Sequence, residues 1–150
     1  MSRQMKTWIG CLVLVLAMGC NERSRLALKA EYGTPAAQRE YGKWLWSKGP
    51  ERDIPEATSW LTKAAEGGDV EAMYKLGKIR SMGGGLTSPQ PEAVMWFQKG
   101  AEAGDPYCMV ELAAGYRYGW MGVEVDEAKF RYWMAKADAV QKERAKTWGR

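Results

Sequence analysis

The chain has 150 residues, enough for one domain with a substantial core, and its formal net charge is +4. Arg3 and Lys6 account for half of that excess, and the remainder carries no basic stripe with interleaved aromatics, which argues against nucleic acid as a partner. Histidine is absent, which removes the commonest general base, the Ser-His and Cys-His nucleophile pairs and most zinc sites; no pair of acids stands out either, so no catalytic residue, metal ligand or cofactor is assigned.

Residues 1–19 have the order of an export signal. Arg3 and Lys6 form a positive start, and Trp8 to Met18 form an apolar stretch of eleven residues. A membrane-spanning helix needs about twenty. The stretch ends in Leu16-Ala17-Met18-Gly19-Cys20, which resembles a bacterial lipobox. The resemblance implies cleavage before Cys20, lipidation of that cysteine, and a periplasm-facing protein held to the membrane by its N-terminal lipid. Asn21, in place of an aspartate, implies the outer membrane. With Cys11 removed and Cys20 acylated, Cys108 is left alone, so the mature domain forms no internal disulfide.

Residues 20–33 are expected to be a tether and a capping helix. From residue 34 onward the chain repeats itself. Thr34-Pro35-Ala36-Ala37 aligns with Asp69-Val70-Glu71-Ala72 and with Asp105-Pro106-Tyr107-Cys108. Tyr41-Gly42, Leu76-Gly77 and Leu112-Ala113 follow at matching distances, and then Trp60, Trp96 and Trp133, spaced 36 and 37 residues apart. A fixed period of this length marks a stack of supersecondary units. Each unit is expected to be a pair of helices. Thr34, Asp69 and Asp105 are N-cap residues, Pro35 and Pro106 suit the first helical position, and Gly67, Gly68 and Gly104 suit the left-handed turn that ends a helix. Gly49-Pro50, Gly83-Gly84-Gly85 and Gly119 to Gly122 are expected to be the loops within units, with a helix starting at Ser88-Pro89. The reading is therefore all-α: a short solenoid of about three hairpins, at 34–68, 69–104 and 105–138, followed by a polar extension over 139–150. Trp60, Trp96 and Trp133 are expected in the core, and Cys108, aligned with Ala37 and Ala72, as a small buried residue.

These motifs resemble the Sel-1-like repeat, a tetratricopeptide-related helical hairpin of about 36 residues. The match runs through Ala72 to Gly77, Gly83 to Gly85, Ala93 to Trp96, Lys99-Gly100-Ala101 and Gly104-Asp105, and through Ala57, Trp60, Lys63-Ala64-Ala65 and Gly68-Asp69. The third unit departs by carrying about three extra residues around Trp120-Met121 and Glu127-Ala128 and by lacking the closing Gly-Asp.

The resemblance implies an interaction scaffold whose first helices line a concave, partner-binding side. Helical spacing picks out Glu40, Lys43 and Trp46, then Lys75, Lys78 and Met82, then Glu111, Arg117 and Tyr118 as its exposed positions. Trp120, in a loop where no core position is expected, is either an added, exposed anchor or a ring folded back over the last hairpin. The expected partner is another protein. The family resemblance singles out an immunity role, neutralising by occlusion a phospholipase-like toxin that a type VI secretion system delivers to the periplasm. The alternative is an envelope scaffold or a regulator that binds a sensor or an assembly partner. A third reading, a β-lactam-directed enzyme, lacks the paired cysteines and the Ser-x-x-Lys motif it would need.

Overall fold

Side-chain oxygens start most of the helices. In the computed structural model, which describes residues 21–48, 53–82 and 92–148, Asp69 Oδ1 accepts from the Ala72 N–H at 2.8 Å and Asp105 Oδ1 accepts from the Cys108 N–H at 2.7 Å. Asp53 caps in the same way, accepting from Glu56 N–H at 2.9 Å. Thr34 serves the same role for Ala37 at a longer 3.4 Å. The helices so defined are α1 (Glu22–Tyr32), α2 (Pro35–Trp46), α3 (Ile54–Glu66), α4 (Val70–Ser81), α5 (Glu92–Glu102), α6 (Pro106–Tyr118) and α7 (Glu127–Trp148). Among the described residues there is no strand. Each helix packs on the next in chain order, so α2/α3, α4/α5 and α6/α7 are stacked antiparallel hairpins with α1 laid over the first. The expected all-α solenoid is the architecture found.

The turns between units carry the glycines that sequence singled out. Gly68 and Gly104 have φ of +89° and +87°, which an L side chain rarely adopts. Gly67 is different: it keeps φ −74° and belongs to the end of α3.

Asp69 does more than cap. Its second oxygen, Oδ2, takes the Arg39 guanidinium at 2.7 Å, so the start of the second unit is tied to the first helix of the unit before it. Asp69→Asn is expected to keep the cap and lose the ionic partner, whereas Asp69→Ala loses both. Thermal unfolding is expected to rank wild type above asparagine, and asparagine above alanine by about 0.5–2 kcal/mol. Equal stability of the two variants would mean that the cap contributes nothing.

The core divides into three successive clusters, one under each hairpin junction. Small residues set how closely the helices approach. A Cβ on Gly42 would lie 2.8 Å from Leu61 Cγ, and one on Gly77 would lie 2.6 Å from a ring carbon of Phe97. Leu61 and Phe97 occupy the same place in their units, directly after the repeated tryptophan, so each glycine is the seat of a large side chain from its hairpin partner. The next interface shows a compensated exchange. Ala64 and Ala72 are both fully buried in one cluster, and their equivalents one unit later are Gly100 and Cys108. A Cβ on Gly100 would fall 2.4 Å from Cys108 Sγ. The larger side chain on α6 is matched by the missing one on α5.

One expectation needs correction. Of the repeated tryptophans only Trp96 is buried; Trp60 and Trp133 are half-buried. Each lies at a surface edge with the lysine three residues on covering its ring, Lys63 at 4.2 Å and Lys136 at 5.2 Å from the centroids, a pattern Lys99 repeats over Trp96 at 4.6 Å. The lysine stem shields the apolar ring while its ammonium stays in water. The polar extension is part of the last helix. α7 runs unbroken to Trp148, with Val140 still packed on the core and the Arg144 guanidinium donating to Gly104 O at 3.4 Å, so the extension caps the last unit. Of the two readings of Trp120, the fold gives the covered one. The loop after Gly119, which has φ +69°, carries Met121 at φ +61° and buries its side chain where Gly115 leaves room, and Trp120 packs half-buried on the same cluster with its Nε1 enclosed. The extra residues of the third unit thus go into covering its open end. The expected signal segment 1–19, Cys20, the loops at 49–50 and 83–85 and the helix start at 88–89 lie outside the described residues.

Candidate functional site

The first helices of the three units, α2, α4 and α6, share one face, because ion pairs join each to the next. Lys43 Nζ on α2 lies 3.0 Å from Glu71 Oε1 on α4, and Lys78 Nζ on α4 lies 3.0 Å from Glu111 Oε1 on α6. Arg39 reinforces the first link, with Glu71 at 3.3 Å and Glu40 at 3.1 Å, and Glu40 also receives Lys43 at 3.2 Å. Exposed pairs of this kind add little stability singly. Joined in a ladder they hold long side chains in one arrangement, which lowers the entropy a ligand would have to remove.

The charges respond to each other. The hydrogen bond to Glu71 raises the Lys43 ammonium above its ordinary value, partial burial opposes it, and Glu40 adds to the rise. For Glu40 partial burial pushes the other way, yet the hydrogen bonds from Arg39 and Lys43 prevail and hold its carboxyl below the usual range. A depressed carboxylate stabilises the fold above its unfolded value and loses that contribution as pH falls through the folded one. Glu40→Gln is therefore expected to lower the melting temperature at neutral pH, with the deficit shrinking in acid below the ordinary carboxylate range. An equal deficit at pH 7 and pH 3 would place the effect elsewhere.

Between α2 and α4 this face opens into a groove of about 390 Å³. Trp46, Leu61, Tyr74, Ile79 and Met82 give it an apolar floor and wall, and Lys43, Lys75 and Lys78 give it a basic rim. Five of the residues picked from helical spacing, Lys43, Trp46, Lys75, Lys78 and Met82, therefore line one depression. Met82 is 60% exposed at its end. Trp46 is half-buried and touches the clusters on both sides of it.

The other candidates sit differently. Glu111 is on the same face but engaged with Lys78. Arg117 packs its guanidinium over Phe130 at 4.7 Å and near Tyr118 at 5.8 Å, which directs it to the α6/α7 junction away from the groove. Tyr118 stands out in solvent at the end of α6. Trp120 belongs to the core cover described above.

Sequence reasoning missed Tyr107 and Val110. Both are exposed on α6, with the Tyr107 ring 5.9 Å from that of Tyr74 in the groove wall. A signal was present: Tyr107 stands where the preceding units have Ala36 and Glu71. An aromatic replacing a charge on a helix's outer stripe extends the apolar surface of the groove toward the last unit. Among the described residues no group of three or more side chains is placed to hold a metal ion, and no helix is long and apolar enough to cross a membrane.

Comparison with known proteins accords with this geometry. The family model described as Sel1 repeat matches residues 35–69, 70–105 and 106–137. A solved Sel1 repeat protein from Oxalobacter formigenes superposes with a TM-score of 0.69 at 30% identity, over 77% of this chain and 88% of that one. A protective antigen present in uropathogenic Escherichia coli strains, with an SLR fold, superposes with a TM-score of 0.70 at 35% identity over 80% of this chain. The chain spans only 26% of that larger protein. No curated protein matches the chain.

Proposed function

The chain belongs to the Sel1 repeat family, whose members typically bind other proteins, and from that premise we propose that it is a non-catalytic lipoprotein that captures a protein partner on the face of α2, α4 and α6. The observation that carries this reading is the groove between α2 and α4. An apolar hollow bordered by side chains that are already held in place is what a tight protein contact needs. Acylation of Cys20 would tether the stack to the outer membrane with this face in the periplasm, and tethering raises the local concentration of an inhibitor.

Within that reading the partner is a periplasm-targeted type VI secretion effector with phospholipase-like activity, and the chain is its immunity protein. The mechanism is occlusion: the curved stack covers the toxin's substrate entrance, burying on the order of 1,600 Å² in total. The test is competition. Cells lacking the gene are expected to be killed by a neighbour that carries the secretion system and to be protected by the restored gene, with Cys20→Ser protecting less. Indifference of the deleted strain, together with recovery of a sensor or envelope assembly protein from Met82-directed crosslinks, would replace immunity by the scaffold reading.

A further inference from the structure

The rim of the groove is not evenly compensated. Lys43 is held by Glu40 and Glu71, and Lys78 by Glu111. Among the described residues Lys75 has no carboxylate within ion-pair distance; its ammonium reaches only the ring of Tyr74, 5.7 Å from the centroid. Its aligned positions in the other units are Glu40 and Glu111, so the middle unit alone places a cation there. Among the described residues no aspartate or glutamate lines the groove itself. The site therefore offers one unspent positive charge directly beside an apolar hollow large enough for a bulky side chain.

We infer that the groove takes a partner-protein segment in which one acidic residue adjoins one bulky apolar residue. The apolar side chain enters between Trp46, Tyr74 and Met82, and the carboxylate pairs with Lys75. Charge complementarity selects this occupant. A basic segment would bring a second cation against the uncompensated Lys75, and a purely apolar one would enclose Lys75 without a partner. Burying the apolar side chain supplies affinity, and the single ion pair supplies register.

This inference rests on the protein-binding reading, and the two can fail separately. The test is selection from a phage-displayed library of random twelve-residue peptides on the folded chain, followed by titration of the enriched peptides. Enriched sequences are expected to pair an Asp or Glu with a nearby Leu, Ile, Phe or Trp. Lys75→Glu is expected to weaken them about tenfold and Met82→Ser severalfold, while Ser59→Glu, in a separate hollow outside the groove, leaves them unchanged. Both groove variants change exposed or half-exposed side chains, so circular dichroism will show the fold retained. Enrichment without an acidic residue, no enrichment, or indifference to Lys75→Glu overturns the inference, and the protein-binding reading survives if a partner still crosslinks. Tight binding of dodecanoate with no peptide selected would also overturn it, by assigning the groove to a carboxylate lipid.

Discussion

Replacing Phe97 with alanine is expected to destabilise the protein by about 3–5 kcal/mol in urea or thermal unfolding. The ring is fully buried and seated on Gly77, with ring carbons 2.6–2.9 Å from where a Cβ would stand. It joins the cluster that contains Cys108, Met109 and Leu112 of α6, so it contributes to the second hairpin and to its junction with the third. The cavity left behind would be walled partly by the α4 backbone at Gly77, which cannot move in without breaking its helix. In a stack whose stability is a sum of neighbour contacts, a loss at the middle unit uncouples both ends. A cost within about 0.5 kcal/mol, the range of ordinary surface changes, would show that the ring is not packed as described.

The second large effect is a coupled one. Gly100→Ala is expected to cost about 1–3 kcal/mol, although alanine is the better helix former by about 1 kcal/mol. The reason is the Cys108 sulfur, 2.4 Å from the added carbon. Cys108→Ala alone leaves a small void, and the double variant rebuilds the Ala64/Ala72 pairing of the preceding unit. The double variant is therefore expected to be more stable than Gly100→Ala, with a favourable interaction energy of about 1–3 kcal/mol in the mutant cycle. Simple additivity would show that the two positions do not meet. The same packing makes the thiol inert: burial first, and then the nearby Asp105 carboxylate, push its ionisation well above the ordinary range. It is expected to resist alkylation until the chain unfolds.

The repeat carried most of the architecture in its own letters. N-caps at Thr34, Asp69 and Asp105, glycines at the turns and tryptophans at a near-constant period are local signals, and each has a local physical cause. Even the seating of Leu61 on Gly42 and of Phe97 on Gly77 leaves a trace, because the large residue and the glycine recur together. What was not legible depends on contacts across units. Nothing local tells that Lys43 meets Glu71 or that Lys78 meets Glu111, nor that Lys75 is the cation left over. The candidate set was found by helical spacing, which identifies a face but does not separate groove lining from junction packing; Lys75 and Met82 fell on one side of that division and Arg117 on the other. Trp120 stayed between two readings for a related reason. A loop tryptophan can stand in solvent or fold back, and only the fold shows that Met121 turns inward and carries its neighbour against the core. The continuity of α7 past residue 138 was hidden because a polar, exposed helix end and an irregular polar tail have similar composition.

The central claim is that the face shared by α2, α4 and α6 is where a partner protein docks. A photo-crosslinking amino acid placed in the chain expressed in its own cells at Met82, in the groove, and in a second strain at Ser59, in a separate hollow beside α3, tests it most directly. A discrete protein adduct from position 82 with none from position 59 is the predicted outcome; adducts from position 59 alone, or from neither, would contradict it.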